Sequence, residues 1–239
     1  MADRIDAVLD HVAIAVPDWR TAENRWRGEL GAGRASIGRN PTFASRQLRF
    51  ANGGRLELLS PPEGDTAGTS FVARFLQRFG TAVHHLTLKV PELHQALDTL
   101  AAASLEAVDV NDANEFWQEG FLRPSQIGGL VVQIASTPLS DTDWAAFTGF
   151  TPEAPGPEAP ELYGPLLQHT DLDRAHAVWT ALGADVAPEG ERLRCRWPDS
   201  VLDVVIQRGD SNGPVGLRLR GAGEHGVLDG VGPAVLAQR

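Results

Sequence analysis

Leu9-Asp10-His11-Val12-Ala13-Ile14-Ala15-Val16 and Val83-His84-His85-Leu86-Thr87-Leu88-Lys89-Val90 read as two copies of one strand, each with a histidine at the same phase of its alternation. Successive side chains on a strand point to opposite faces. Val12, Ile14 and Val16 therefore form one apolar row, and Leu86, Leu88 and Val90 form its counterpart. His11, Ala13 and Ala15 line the other side of the first strand, as His85, Thr87 and Lys89 do in the second. Both histidines are thus expected on a face that is not the core.

The repeat extends beyond the strands. After the first, Asp18 opens a segment with Ala22, Trp26 and Leu30 at helical spacing that closes at Gly31, so Asp18 and Gly31 read as its two caps. After the second, Pro91-Glu92 opens a helix with Leu93, Ala96, Leu97 and Leu100 on one face. A third copy follows Asp171, where Ala175, Trp179 and Leu182 precede Gly183; Asp171 stands eight positions before Trp179, as Asp18 does before Trp26. Strand-like segments follow each helix: Phe43 to Phe50 and Gly54 to Ser60, then Glu115 to Arg123 and Gly129 to Ala135, then Leu193 to Trp197 and Val201 to Gln207. Asn52-Gly53-Gly54 reads as a hairpin turn. Ser70 to Phe79 reads as a connecting helix, and Pro214 to Arg220 as the first strand of a truncated fourth unit. The expected fold class is α+β, built from paired βαβββ modules in two concave mixed sheets, with a degenerate third module and a partial fourth. The expected domains are residues 1–138, carrying two modules and the candidate site; residues 139–160, a helix and a linker rich in Pro and Glu; and residues 161–239, the third module with a final strand and tail.

Composition narrows the function classes. The 239 residues are 42% hydrophobic and 22% charged, as expected of a globular chain. A formal net charge of -10 argues against a nucleic-acid binder, whose affinity rests on Lys and Arg neutralising phosphates. The single cysteine, Cys195, cannot form an internal disulfide. Met-Ala-Asp-Arg-Ile-Asp lacks the apolar core of a leader, and no run approaches the roughly 20 apolar residues of a membrane span. The expectation is a cytoplasmic protein with neither nucleic acid nor membrane as partner.

The closing strands supply more polar residues of the histidine phase. Leu56 and Leu58 make the apolar row of one, which turns Glu57 to the other side; Val132 and Ile134 do the same for Gln133. If the two modules pair, His11, Glu57, His85 and Gln133 converge on one concave surface. Two imidazoles, a carboxylate and an amide oxygen suit a divalent cation such as Zn, Co, Ni, Mn or Fe. Glu57, the one carboxylate of the four, is the candidate for moving a proton. Thr87 and Lys89 share the face of His85, and Gln47 and Arg49 join them from the neighbouring strand. These four are the candidate substrate-binding residues, and the two cations suit a small anionic substrate.

His11 before Val-Ala-Ile-Ala-Val, Arg55-Leu-Glu57-Leu-Leu-Ser-Pro, the His85 strand, and Phe121 to Gln133 together resemble the vicinal oxygen chelate superfamily. That superfamily includes glyoxalases, bleomycin resistance proteins and dioxygenases, and the nearest likeness over residues 7–136 is to methylmalonyl-CoA epimerases. The resemblance implies paired βαβββ modules with a metal held at the four matched positions. Epimerase-like members usually carry Glu at the position of Gln133. The amide here leaves one carboxylate among the donors, and a divalent site at a formal charge of +1. The expected activity is metal-dependent proton transfer beside a carbonyl or thioester, of the epimerase, isomerase or glyoxalase-type lyase kind. Two alternatives are an iron(II) extradiol-type dioxygenase, which uses two His and one carboxylate, and a non-catalytic binding or resistance protein. The third module has Gly164 at the histidine position and only Asp203 in a ligand-like place. Packing, closure over the site and homodimerisation are the roles open to it.

Overall fold

The computed structural model describes residues 4–221 and 235–237, so most of the expected C-terminal tail lies outside the described residues. The first module comprises β1 (Val8–Ala15), α1 (Trp19–Leu30), β2 (Gly33–Asn40), β3 (Phe43–Arg49) and β4 (Arg55–Ser60). After the connecting α2 (Phe71–Phe79), the second comprises β5 (Ala82–Lys89), α3 (Leu93–Ala102), β6 (Ala107–Asn111), β7 (Gln118–Leu122), the short α4 (Pro124–Ile127) and β8 (Val131–Ser136). Beyond α5 (Asp141–Thr148), the third follows as β9 (Glu161–His169), α6 (Leu172–Ala181), β10 (Asp185–Glu189), β11 (Arg192–Arg196) and β12 (Asp203–Arg208). The truncated fourth unit supplies β13 (Gly213–Arg220), with β14 (Val235–Ala237) beside it in parallel.

The class is α+β, with one sheet in the order β2-β3-β4-β1-β5-β8-β7-β6 and another in the order β10-β11-β12-β9-β13-β14. Each complete module pairs its first strand with its last in parallel, while the strands between run antiparallel. The strands β2, β6 and β10 lie outside the segments that the sequence pattern marks, and all three end a sheet. A strand paired on one side and open to solvent needs no apolar row and is protected by polar residues. In β6 and β10 this leaves most positions exposed.

The described chain forms two compact units. One consists of His11–His84, Asp141–Gly164 and Gly216–Arg239. Its α1 begins where the Asp18 carboxylate accepts from the backbone N–H of Arg20 and Thr21, and it ends at Gly31 in the left-handed conformation (φ 69°). These caps satisfy backbone groups that the helix ends leave open. Trp26 is fully buried and meets Phe50 edge to face at 5.8 Å between ring centroids. Residues 151–160 do not run free in this unit. The N–H of Glu153 donates to the carbonyl of Arg34, and that of Gly156 to Gly31, each at 2.8 Å. The Glu153 carboxylate also pairs with Arg27 and Arg34. Gly33 permits this approach, because a Cβ there would fall 2.2 Å from the Glu153 carbonyl oxygen.

The other unit consists of Met1–Asp10, His85–Ser140 and Pro165–Val215. Leu86, Leu88, Val132 and Ile134 are fully buried in it, along with Leu93 and Leu100 of α3. The matched tryptophan spacing holds here as well. Asp171 caps α6, Trp179 is buried, and its ring meets Trp197 at 6.0 Å.

Candidate metal centre

On β1, β3 and β4 the register settles the facing. Ala13 pairs with Glu57, and Gln47 lies opposite Glu57 on the other flank. Gln47, Glu57 and Ala13 therefore share one face, and alternation adds His11, Ala15, Leu59 and Arg49 to it. Glu57 Oε2 lies 3.5 Å from His11 Nε2, and Gln47 Nε2 lies 3.5 Å from His11 Nδ1. Arg49 Nη2 is 3.8 Å from Asp141 Oδ2, which also pairs with Arg55. Farther along the face, α2 packs Val72 against Ala15 and Leu59, with Phe43, Phe75 and Leu76 around them. This end of the face is apolar and closed.

On β5, β8 and β7 the same test applies. Thr87 pairs with Gln133, and Gln133 lies opposite Phe121. Glu119 lies opposite Ala135, two places along from Gln133, and so faces the same way. The Thr87 hydroxyl donates to Gln133 Oε1 at 2.6 Å, and Gln133 Nε2 donates to Glu119 Oε2 at 2.6 Å. The Trp117 indole N–H donates to that same carboxylate oxygen at 2.8 Å. Glu119 is the residue that sequence reading passed over. Its signal was Leu122, whose buried phase turns Glu119 and Phe121 the other way. Lys89, read from sequence as an anion-binding cation, has Nζ 2.9 Å from Asp10 Oδ1. Its charge is thus already opposed.

Among the described residues, His11, Glu57 and His85 form a group in which each offers one ligand atom and all three atoms lie within 4.8 Å of one another. Burial is nearly complete, with exposures of 2%, 9% and 7%. Tetrahedral donors bound to one cation at about 2.1 Å stand about 3.4 Å apart, so ligand atoms within 4.8 Å of one another would close by up to about 1.4 Å on binding. Neutral imidazoles and a carboxylate also suit zinc and its neighbours chemically. On spacing and on chemistry the residues fit such an ion.

The remaining candidates sit elsewhere. His84 packs against the rings of Phe71 and Phe75, and His94 pairs with Asp112. His169 ends β9, accepts from the N–H of Asp171 at Nδ1, and has its pKa pushed down by burial. Asp203 is tied to Arg194 at 2.7 Å. Burial pushes the thiol of Cys195 far above the ordinary range, which removes it as a nucleophile at neutral pH.

The paired βαβββ modules have the fold of the vicinal oxygen chelate proteins. Residues 10–121 match the sequence profile of the Glyoxalase/Bleomycin resistance protein/Dioxygenase superfamily. Among curated proteins, the mitochondrial methylmalonyl-CoA epimerase of Mus musculus is 29% identical over 132 residues, which is 53% of this chain and 71% of the mouse protein. Methylmalonyl-CoA epimerase from Mycobacterium tuberculosis superposes with a TM-score of 0.50 at 21% identity, covering 58% of this chain and 94% of that one. A hypothetical protein from Staphylococcus aureus superposes with a TM-score of 0.66 at 10% identity, covering 97% of this chain and all of that one. These two structural likenesses concern the fold. The second extends over the third module.

Proposed function

We propose that this chain is a divalent-metal-dependent enzyme that moves a proton beside a carbonyl or thioester, as an epimerase, isomerase or glyoxalase-type lyase. The observation that carries the reading is the buried group of His11, Glu57 and His85, whose ligand atoms lie within 4.8 Å of one another. Those three residues would hold the ion, with Gln133 as a fourth donor on the matching face. The bound ion supplies Lewis acidity, which polarises a substrate carbonyl and makes the adjacent C–H more acidic. Glu57 is the proton acceptor in this reading, as the one carboxylate of the group. Gln47, beside His11 Nδ1, holds that ring in place. The apolar cluster of α2 with Ala15 and Leu59 excludes water from one end of the face, which strengthens every charge interaction there. Arg49 and Lys89 each face a carboxylate, so the substrate class rests on the carbonyl rather than on a surplus of positive charge. The sequence likeness to the mouse epimerase supports the same reaction class.

The test is metal analysis of the purified chain, followed by solvent deuterium exchange into acyl thioesters and 2-oxo compounds after loading with Zn(II), Co(II), Ni(II) or Mn(II). Exchange that depends on metal and disappears in His85→Ala is expected. Its absence with every metal overturns the reading. A second reading, the iron(II) dioxygenase, is favoured by the donor set itself, two His and one carboxylate. Oxygen uptake with catechols after anaerobic Fe(II) loading distinguishes the two.

A further inference from the structure

Gln133 is held at both ends. Thr87 meets its Oε1 from β5 at 2.6 Å, and Glu119 meets its Nε2 from β7 at 2.6 Å. The two partners are not equivalent. A threonine hydroxyl can donate or accept, so it tolerates either end of an amide, whereas an ionised carboxylate only accepts and must face N–H. Glu119 therefore decides the orientation. Its own position is fixed by the Trp117 indole N–H, which donates to the same oxygen at 2.8 Å.

We infer that Glu119 is a positioning residue that locks the Gln133 amide with its carbonyl oxygen turned toward β5, the strand of His85. Of that oxygen's two lone pairs, Thr87 uses one and leaves the other for a ligand on the face. The amide nitrogen, which could only repel a cation, is turned away toward β7. The carboxylate in this half of the site thus stands one strand back from the donor position, where it orients a neutral donor. This inference rests on the metal-dependent reading for its consequence, but the lock itself exists without metal.

The experiment uses the full chain in four forms: wild type, Glu119→Gln, Gln133→Glu, and the exchange variant Glu119→Gln/Gln133→Glu. In metal-free protein labelled with 15N-glutamine, the Gln133 side-chain amide is assigned by its disappearance in Gln133→Glu. Two well-separated, slowly exchanging protons are expected in wild type. In Glu119→Gln they converge and exchange faster, because an amide at 119 accepts either orientation. Zn(II) affinity, measured by competition with a chromogenic chelator, falls about 10- to 100-fold in Glu119→Gln. The exchange variant, with the carboxylate at 133 and an amide donating to it, recovers at least wild-type affinity. An unchanged Gln133 signal in Glu119→Gln overturns the inference, as does failure of the exchange variant to recover zinc binding. Wild type that binds no zinc refutes the proposed function, while the amide signals of the metal-free chain still decide the lock.

Discussion

Glu57→Gln separates the two states of the proposed centre. The substitution keeps the shape of the side chain and removes the one negative charge from the group of His11, Glu57 and His85. Glu57 is only 9% exposed, and its Oε2 is 3.5 Å from His11 Nε2, so solvent compensates little for the loss. Removing one partner of a buried opposite-charge arrangement costs about 3–5 kcal/mol, which is at least about a 100-fold rise in Kd for the ion. At a zinc concentration of about 100 times the wild-type Kd, binding stabilises the wild-type fold by about 2.7 kcal/mol. The variant at that concentration gains about 0.4 kcal/mol or less. For a chain of this length each kcal/mol is worth roughly 2–4 °C. Zinc should therefore raise the wild-type Tm by about 5–11 °C and that of the variant by no more than about 2 °C. Without metal the order is expected to change. A buried carboxylate is costly to desolvate, so the metal-free variant should melt at or above the wild-type temperature. Differential scanning fluorimetry with and without zinc reads both numbers. A zinc shift in Glu57→Gln equal to that of wild type would refute the reasoning, because the carboxylate would then contribute nothing to the ion.

Gly33→Ala should displace residues 153–156 from β2, because the new Cβ would fall 2.2 Å from the Glu153 carbonyl oxygen. With about 1 kcal/mol lost per hydrogen bond, the amides of Glu153 and Gly156 are expected to exchange roughly five- to tenfold faster; unchanged protection would contradict the contact. Burial holds the pKa of His169 below its ordinary value, so the folded chain takes up that proton less readily than the unfolded one. Its contribution is fully present above the ordinary value of about 6.5 and is lost as pH falls from there through the folded pKa. Urea unfolding from pH 8 to 5 should show this loss in wild type and less of it in His169→Gln, and parallel curves would contradict it. Asp65 is held at about 2 by the Ser70 hydroxyl and by the N–H groups of Thr69 and Ser70 at the start of α2. Its stabilising effect is present above about pH 4 and is lost toward pH 2. A carboxyl NMR titration should find its midpoint near 2, and a midpoint near 4 would show that these hydrogen bonds are absent.

The legible parts of this chain are those where burial imposes a period. Val12, Ile14, Leu86 and Leu88 have neighbours on the core side, so their alternation survives in the sequence and turns His11 and His85 the other way. Asp18 and Asp171 carry the same signal for helices, because an N-cap and the tryptophan eight positions later are both dictated locally. Edge strands lack that constraint. The segments Gly33–Asn40, Ala107–Asn111 and Asp185–Glu189 each have a neighbouring strand on one side only, and composition leaves them unmarked. Glu119 was hidden for a different reason. Its role depends on which residue of β8 it stands beside, and cross-strand register is not written in either strand alone. Lys89 shows the converse limit, since phase places it correctly but cannot foresee Asp10 as its partner.

Anomalous diffraction from crystals of the zinc-loaded chain tests the central claim most directly. One peak is predicted, about 2.0–2.2 Å from a ring nitrogen of His11, a ring nitrogen of His85 and a carboxylate oxygen of Glu57. A fully occupied zinc peak at any other group of residues, with those three left uncoordinated, would contradict it.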